Sequence, residues 1–170
     1  MFAMSGYRNL SVAYRPCVES IVASVVKSGG TVGVGCASGF DYFVRSAPAF
    51  GPGVGSVFRA ENSVSYSLVK RSVALVQAAA ASPQSGFIGW PNCPCPDKVF
   101  PSRSALKCFC GRGSGTWASA ALAAGFGLPV YIFGQSALSL PQSWGEWSPS
   151  YRFGIPSFQL VRRVSQLKLF

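Results

Sequence analysis

The chain has 170 residues, of which 49% are hydrophobic and 12% are charged, so it is long and apolar enough for one folded domain and is not a disordered protein. Its 15 lysines and arginines stand against 5 aspartates and glutamates, a net charge of +10 that favours phosphates, nucleic acid or an anionic surface as partners. Histidine is absent, which excludes Ser-His-Asp and Cys-His catalysis and metal sites with histidine ligands.

Membrane segments, export signals and metal sites are not expected. The chain has no apolar run close to the ~18 residues of a membrane span, and its first residues lack the basic region of a signal peptide. We therefore predict a cytoplasmic protein without membrane contact. The pairs Cys93-x-Cys95 and Cys108-x-Cys110 are spaced poorly for tetrahedral zinc, which leaves free thiols or a reducible disulfide as the favoured states. No metal and no cofactor are predicted.

The N-terminal part repeats the order strand, glycine loop, helix. The strand Phe2-Ala3-Met4 leads into the turn Ser5 to Arg8, and a helix follows over about 14–27. A second strand over 31–34 leads into the loop Gly35-Cys36-Ala37-Ser38-Gly39 with Asp41, and a helix follows over about 42–47. The glycines of this loop only approach the dinucleotide-binding pattern G-x-G-x-x-G, because the third one comes a residue late.

The middle of the chain predicts a strand over 56–58, a helix over about 65–81 and a strand over 86–89. On the helix, Arg71 could point toward the site, although a solvated helix face is favoured. Residues 90–103 contain too much proline for a strand or a helix and predict a long loop. Long ordered loops are typical of lids or contact surfaces.

The stretch from Cys110 to Trp117 combines glycines with two hydroxyl side chains and opens an alanine-rich helix that extends to Phe126. An apolar strand over 128–133 follows. A loop of this kind directs unpaired N–H groups and the positive end of the helix dipole toward an anion such as phosphate. The alternative is purely structural: the glycines make a tight turn, and Ser114 or Thr116 caps the helix.

The C-terminal part is rich in tryptophan. Trp144 and Trp147, like Trp117, could stack on a base or could close the edge of the sheet or an oligomer contact. The segment 158–164 fits a strand or a short basic amphipathic helix, and periodicity leaves both open.

Strands that alternate with helices predict an α/β fold with a mostly parallel sheet covered on both faces. In such sheets ligands bind at the carboxyl ends of the strands. The three loops Ser5 to Arg8, Gly35 to Asp41 and Gly111 to Thr116 all follow or precede strands at that edge, so we expect them to converge on one site.

These three loops, together with Leu128 to Phe133, resemble the SLOG superfamily, which contains the DNA-processing protein A family and the LOG ("lonely guy") nucleotide phosphoribohydrolases. The likeness extends from Met1 to Phe133 and is greatest for small stand-alone members. It implies a Rossmann-like three-layer sandwich over 1–134 and a C-terminal extension over 135–170 that packs on the same domain or on a partner. It also implies a homo-oligomer, by default a dimer.

The resemblance implies a ligand site built from all three loops. The first loop would contact a phosphate or sugar, the second would lie across the ligand, and the third would bind phosphate through its N–H groups and hydroxyls. The implied ligand-binding residues are Ser5, Gly6, Arg8, Gly35, Ser38, Gly39, Asp41, Gly113, Ser114, Gly115 and Thr116. Ser119 stands where the phosphoribohydrolases have a glutamate, and Ser38 where many relatives have a basic residue. The first departure favours binding over hydrolysis.

Three residues in these loops have both a chemical and a structural interpretation. Asp41 is the candidate catalytic group, as a general base or a ribose acceptor, or else it is a carboxylate that complements a helix start. Arg8 suits bidentate phosphate binding or a surface ion pair. Cys36 could be a nucleophile, but without histidine a small buried residue is favoured.

The sequence therefore predicts a protein that binds a nucleotide or another phosphorylated small molecule, as a sensor or weak hydrolase. The alternative is a single-stranded nucleic-acid-binding protein of the DNA-processing type, which would use its net charge on the backbone. A second alternative is a structural subunit of a larger assembly whose ligand site is idle. Convergence of cations on one pocket would favour the first function, binding of a nucleotide or another phosphorylated small molecule.

Overall fold

The computed structural model describes residues 1–62, 64–111 and 114–161. In those ranges the chain forms seven strands and five α-helices, joined by loops and three short 3-10 helices. The strands are β1 Phe2–Gly6, β2 Val32–Val34, β3 Gly55–Val57, β4 Gly86–Trp90, β5 Val130–Ile132, β6 Glu146–Ser150 and β7 Ser157–Val161. The helices are α1 Arg15–Lys27, α2 Phe40–Arg45, α3 Ser65–Ala80, α4 Ala105–Cys108 and α5 Gly115–Phe126.

All seven strands belong to one sheet, in the order β3-β2-β1-β4-β5-β7-β6. The first five in this order are parallel to one another, and β7 is antiparallel to both of its neighbours, β5 and β6. The predicted α/β class with a mostly parallel sheet is confirmed. The chain moves outward on one side of β1 through β2 and β3, then returns to place β4 on the other side. Loops that leave β1 and β4 in opposite directions open a crevice at the carboxyl ends of the strands.

The core consists of two clusters, because successive residues of a strand point to opposite faces of the sheet. Ala3, Phe87 and Ile132 pack in a cluster with residues of α3 and α5. Met4 and Tyr131, one residue along, pack in a second cluster with residues of α1 and α2. Residues of α3 and α5 thus pack on one face of the sheet, and residues of α1 and α2 pack on the other.

Helix α5 is placed by both of its ends. Ser114 caps it, since its Oγ accepts a hydrogen bond from Thr116 N at 3.2 Å. Gly127 ends it in the left-handed conformation, with φ of 93°. The body of the helix packs closely against the loop before α4. At Gly125 even a Cβ atom would collide with the backbone of Ser102. The start of α5 is therefore held at the crevice.

Several boundaries differ from those predicted. β1 includes Ser5 and Gly6, because they pair with Gly89 and Trp90 of the neighbouring strand. α2 begins at Phe40, two residues early, and the short elements α4 and β6 were not predicted. The segment left open near the C-terminus is a strand up to Val161, and the remainder of 158–164 lies outside the described residues.

Three further observations concern membrane-spanning helices, cysteine thiols and metal ligands. None of the helices within the described ranges combines the length and apolarity needed to cross a membrane. All six cysteines are free thiols, so the reducible disulfide is not formed. In the described part of the chain, no group of three or more cysteine and acidic side chains is arranged to hold a metal ion.

Candidate functional site

A cavity of about 660 Å³ opens at the carboxyl end of β1, where the start of α5 meets the first turns of α3 and the short helix α4. All three predicted loops contribute to its wall. Seven of the predicted ligand-binding residues line it: Ser5, Gly6, Arg8, Asp41, Ser114, Gly115 and Thr116. The loops thus converge as their positions in the chain predict.

Three other predicted residues lie behind the wall and support it. Gly39 has φ of 63°, and a Cβ atom there would collide with the carbonyl group of Arg8. Ser38 Oγ donates to Arg8 O at 3.2 Å. At Gly35 a Cβ atom would collide with Asp41 Oδ2, so glycine lets that carboxylate approach the loop. The last predicted residue, Gly113, lies outside the described residues.

Arg71 is part of the cavity wall, so the favoured prediction of a solvated helix face is wrong and the alternative, a position toward the site, is the one observed. Its side chain is only 11% exposed, and its Nη1 lies 3.9 Å from Asp41 Oδ2. The position had a signal in the sequence, because Arg71 precedes the buried Leu75 by four residues and so shares its face of α3. The prediction favoured a solvated position because arginine side chains are usually exposed, and it gave less weight to the helical spacing.

The guanidinium of Arg71 is poorly satisfied by its neighbours. It donates to Cys36 Sγ at 3.7 Å, within the longer range of bonds to sulfur, and to Ser72 Oγ at 3.4 Å, which is long, while the 3.9 Å approach to Asp41 exceeds hydrogen-bond length. Its buried Nε has no hydrogen-bond partner among the described residues. A buried guanidinium with donors to spare is well suited to an oxyanion that enters the cavity.

Asp41 lies in the first turn of α2 and its side chain is 4% exposed. Burial raises the pKa of this carboxyl group, while Arg71 and the N–H of Ala37, which donates to Oδ2 at 3.3 Å, lower it; burial has the larger effect. Asp41 therefore complements a helix start, as one interpretation predicted, and also lines the cavity, as the other required. A raised pKa brings the carboxyl group closer to the range in which it can donate a proton.

Cys36 lies next to this pair and is half-buried. Burial by itself would raise the pKa of the thiol, but Ala60 N donates to Sγ at 3.5 Å and the Arg71 guanidinium stabilises the thiolate, so the pKa is lowered overall. Cys36 does not line the cavity, and the loop that carries it is held by Arg45, which donates to Gly35 O at 2.7 Å and Ala37 O at 3.0 Å. Its role at this position is to contact Arg71.

The start of α5 forms another part of the wall. Ser114, Gly115 and Thr116 all line the cavity, and the first N–H groups of a helix have no partner within it. Ser114 also caps the helix, so it has the structural role that was the alternative prediction and lines the cavity as well. Ser119 is buried and donates to Gly115 O at 2.8 Å. It is therefore directed into the helix rather than toward a ligand.

Arg8 supplies a second cation at the rim of the cavity. It is exposed, and none of the ion pairs between described residues involves it. Asp41 is the single acidic residue among the described residues of the wall. The wall therefore carries more positive than negative charge even where Asp41 is ionised.

Another part of the cavity wall is apolar and was not predicted. Tyr66 and Val69 of α3 and Leu106 and Phe109 at α4 line it. Tyr66 is 78% exposed and Leu106 is 88% exposed. We call these four residues the apolar wall. The sequence placed a loop across 90–103 but contained no helical signal long enough to reveal α4.

The tryptophans are structural. Trp117 and Trp144 are buried in the core, and their Nε1 atoms donate to Cys93 O and Val99 O, each at 2.8 Å. Trp147 is half-buried and donates to Pro141 O at 3.1 Å. Buried indoles cannot stack on a base, so the stacking interpretation of Trp117 and Trp144 is wrong. Their hydrogen bonds instead hold the loop that follows β4.

Comparison of the chain with protein-family models, with curated proteins and with solved structures gives no match. The arguments for its function therefore come from the cavity.

Proposed function

We propose that the chain binds a nucleotide or a nucleotide-derived phosphate in the cavity at the carboxyl end of β1, on a Rossmann-like three-layer domain of the SLOG type. The observation that carries this proposal is the guanidinium of Arg71, which lines the same cavity as the start of α5 and, at 3.9 Å from Asp41 Oδ2, is not hydrogen-bonded to a carboxylate. Guanidinium groups and helix N-termini both favour phosphate oxygens.

The position of the cavity supports the same proposal. In parallel sheets with the strand order seen here, ligands bind where the strand order reverses, which is between β1 and β4. The cavity lies at that point, beside β1, and its volume of about 660 Å³ falls within the range of small-molecule sites. Arg8 would add a second, solvent-exposed contact to the phosphate.

Asp41 favours weak hydrolysis as a second candidate function. It is the acidic group in the described wall, and burial raises its pKa. A carboxyl group of this kind could protonate the base as its N-glycosidic bond breaks and water attacks C1′ of the ribose, and the proton that the water loses would return to the carboxylate, which leaves free base and ribose phosphate. Loss of activity in Asp41→Asn with retained ligand binding would support this role, and release of no base or phosphate from any bound nucleotide would contradict it.

Single-stranded nucleic acid is the less supported partner. Two of the three indoles that could have stacked on bases, Trp117 and Trp144, are buried, and two of the cations lie in one cavity. A homo-oligomer, a cytoplasmic location and an idle site in a larger assembly stay predictions of the sequence.

The proposal is tested by thermal unfolding with a panel of mononucleotides, ribose phosphates and one short single-stranded DNA at two salt concentrations. A ligand that binds only the folded state stabilises it by about 2.7 kcal/mol at a hundredfold excess over its dissociation constant. We expect a shift with a small phosphate that survives added salt and is reduced in Arg8→Ala and Ser114→Ala. A shift with DNA alone, lost at higher salt, or no shift with any ligand would contradict the proposal.

A further inference from the structure

The cavity has two chemically different ends, and the course of α3 separates them. Arg71 is buried, whereas Tyr66 is exposed at the first turn of the same helix. Five residues of helix correspond to about 7.5 Å along its axis. If the phosphate of a ligand binds Arg71, the part of the molecule on the far side of its sugar would therefore lie near Tyr66.

The apolar wall at that end has few groups that could read hydrogen-bonding edges. Tyr66 and Leu106 are among the most exposed large apolar side chains in the described chain, and both line this one cavity. Exposed apolar side chains gathered at a cavity mark a surface that becomes covered. The lining residues directly beside these four in the sequence are Ser65, Leu68, Ala105, Cys108 and Cys110, of which Ser65 alone carries a hydroxyl or amide group, and no charged residue of the described wall belongs to α4.

On the basis of the proposed function, we infer that the ligand is a nucleoside phosphate whose base is held by contact with the faces of Tyr66 and Leu106, and not by recognition of its edges. Every base has an aromatic face, so stacking tolerates changes of base and favours the larger purine ring. Sites that instead form hydrogen bonds to the edge of a ligand discriminate by large factors against analogues that lack the matching group. The structure has the first kind of wall.

The inference predicts an order of affinities. Ribose 5-phosphate binds through the phosphate end alone, pyrimidine monophosphates bind more tightly, and purine monophosphates bind most tightly. AMP and GMP, which differ only in the edge groups of the base, bind within about threefold of each other, since stacking does not discriminate between them.

The test measures the affinities of ribose 5-phosphate, UMP, AMP and GMP by calorimetry for the full chain and for Tyr66→Ala and Tyr66→Phe. We expect Tyr66→Ala to weaken AMP by about tenfold and to leave ribose 5-phosphate unchanged, and Tyr66→Phe to retain the wild-type affinity. Tyr151→Ala is the matched control, because Tyr151 is 70% exposed and does not line the cavity. Leu106→Ala provides a second variant at the apolar wall.

The outcomes separate the two proposals. If ribose 5-phosphate binds as tightly as AMP, or Tyr66→Ala weakens neither, the apolar wall is not a base site, while phosphate binding in the cavity stands. If AMP and GMP differ by more than about tenfold, the base is read at its edge and the inference is wrong. If neither ribose 5-phosphate nor any nucleotide binds, the proposed function fails and the inference fails with it.

Discussion

Arg71 Nη1 and Asp41 Oδ2 lie 3.9 Å apart, and both side chains are buried where the second glycine loop meets the cavity. At this distance the two groups attract each other but form no hydrogen bond. The guanidinium also contacts Cys36, so one cation is shared between a carboxyl group and a thiol. A phosphate that enters the cavity would compete for the same cation, which connects ligand binding to the protonation of both groups.

The first prediction concerns the pH dependence of stability at Asp41. Because burial raises the pKa of its carboxyl group in the folded state, its protonated form contributes stability at low pH that is lost as the pH rises through the folded-state pKa. We expect Asp41→Asn to become more stable relative to the wild type as the pH rises from about 4 to neutrality. Chemical denaturation of both proteins across this range measures the difference. A difference that falls with rising pH would show that Arg71 outweighs burial.

The second prediction concerns the reactivity of Cys36. Its lowered pKa predicts that alkylation by iodoacetamide, followed residue by residue with mass spectrometry, rises at a lower pH than for an ordinary thiol. Cys95 is the internal control, since burial together with Cys93 and Asp97 raises its pKa to about 12. In Arg71→Met the midpoint for Cys36 should move upward. An unchanged midpoint in that variant would mean that Arg71 does not stabilise the thiolate.

The third prediction concerns the junction of the first two loops. Gly39 adopts a conformation with φ of 63°, and a side chain there would collide with Arg8 O. We expect Gly39→Ala to lower the free energy of unfolding by at least about 2 kcal/mol. Gly51→Ala is the control, because a Cβ atom at Gly51 meets nothing within 4 Å, and it should change stability by less than about 0.5 kcal/mol. Equal effects of the two substitutions would contradict the close packing of the loops.

The fourth prediction concerns the proline-rich loop after β4. Trp144 Nε1 donates to Val99 O at 2.8 Å in a buried setting, so Trp144→Phe leaves a buried carbonyl oxygen without its partner. This should cost about 1–3 kcal/mol and make the loop more sensitive to proteolysis. Trp147→Phe removes a comparable bond to Pro141 O at a half-buried position that water can reach, and we expect a smaller loss. The reverse order of the two losses would show that the indole of Trp144 does not hold the loop.

Much of this arrangement could be predicted from local patterns, because they reflect local physics. Glycine loops between strands and helices indicated the parallel sheet, and Ser114 before an alanine-rich run indicated the start of α5. Features that depend on residues distant in sequence were missed. Arg71 is buried because Asp41 and Cys36 lie across from it, and α4 completes the cavity although its four residues form too short a helix to produce a periodic signal.

The central claim is that the buried guanidinium of Arg71 binds the phosphate of a ligand in the cavity. Calorimetric titration of AMP into the wild type, Arg71→Met and Lys70→Met tests it most directly. Lys70 is the neighbouring residue on α3, is exposed, and does not line the cavity, so the two variants lose the same charge at adjacent positions. Arg8→Met is a further variant at an exposed position, which keeps the test valid if Arg71→Met does not fold.

We predict that the wild type and Lys70→Met bind AMP with similar affinity and that Arg71→Met, with its fold checked by its melting temperature, binds at least about tenfold more weakly. Arg8→Met should show a smaller loss, because its contact is exposed to solvent. Equal affinity of Arg71→Met and the wild type, or no binding of AMP or any other nucleoside phosphate to the wild type, would contradict the account.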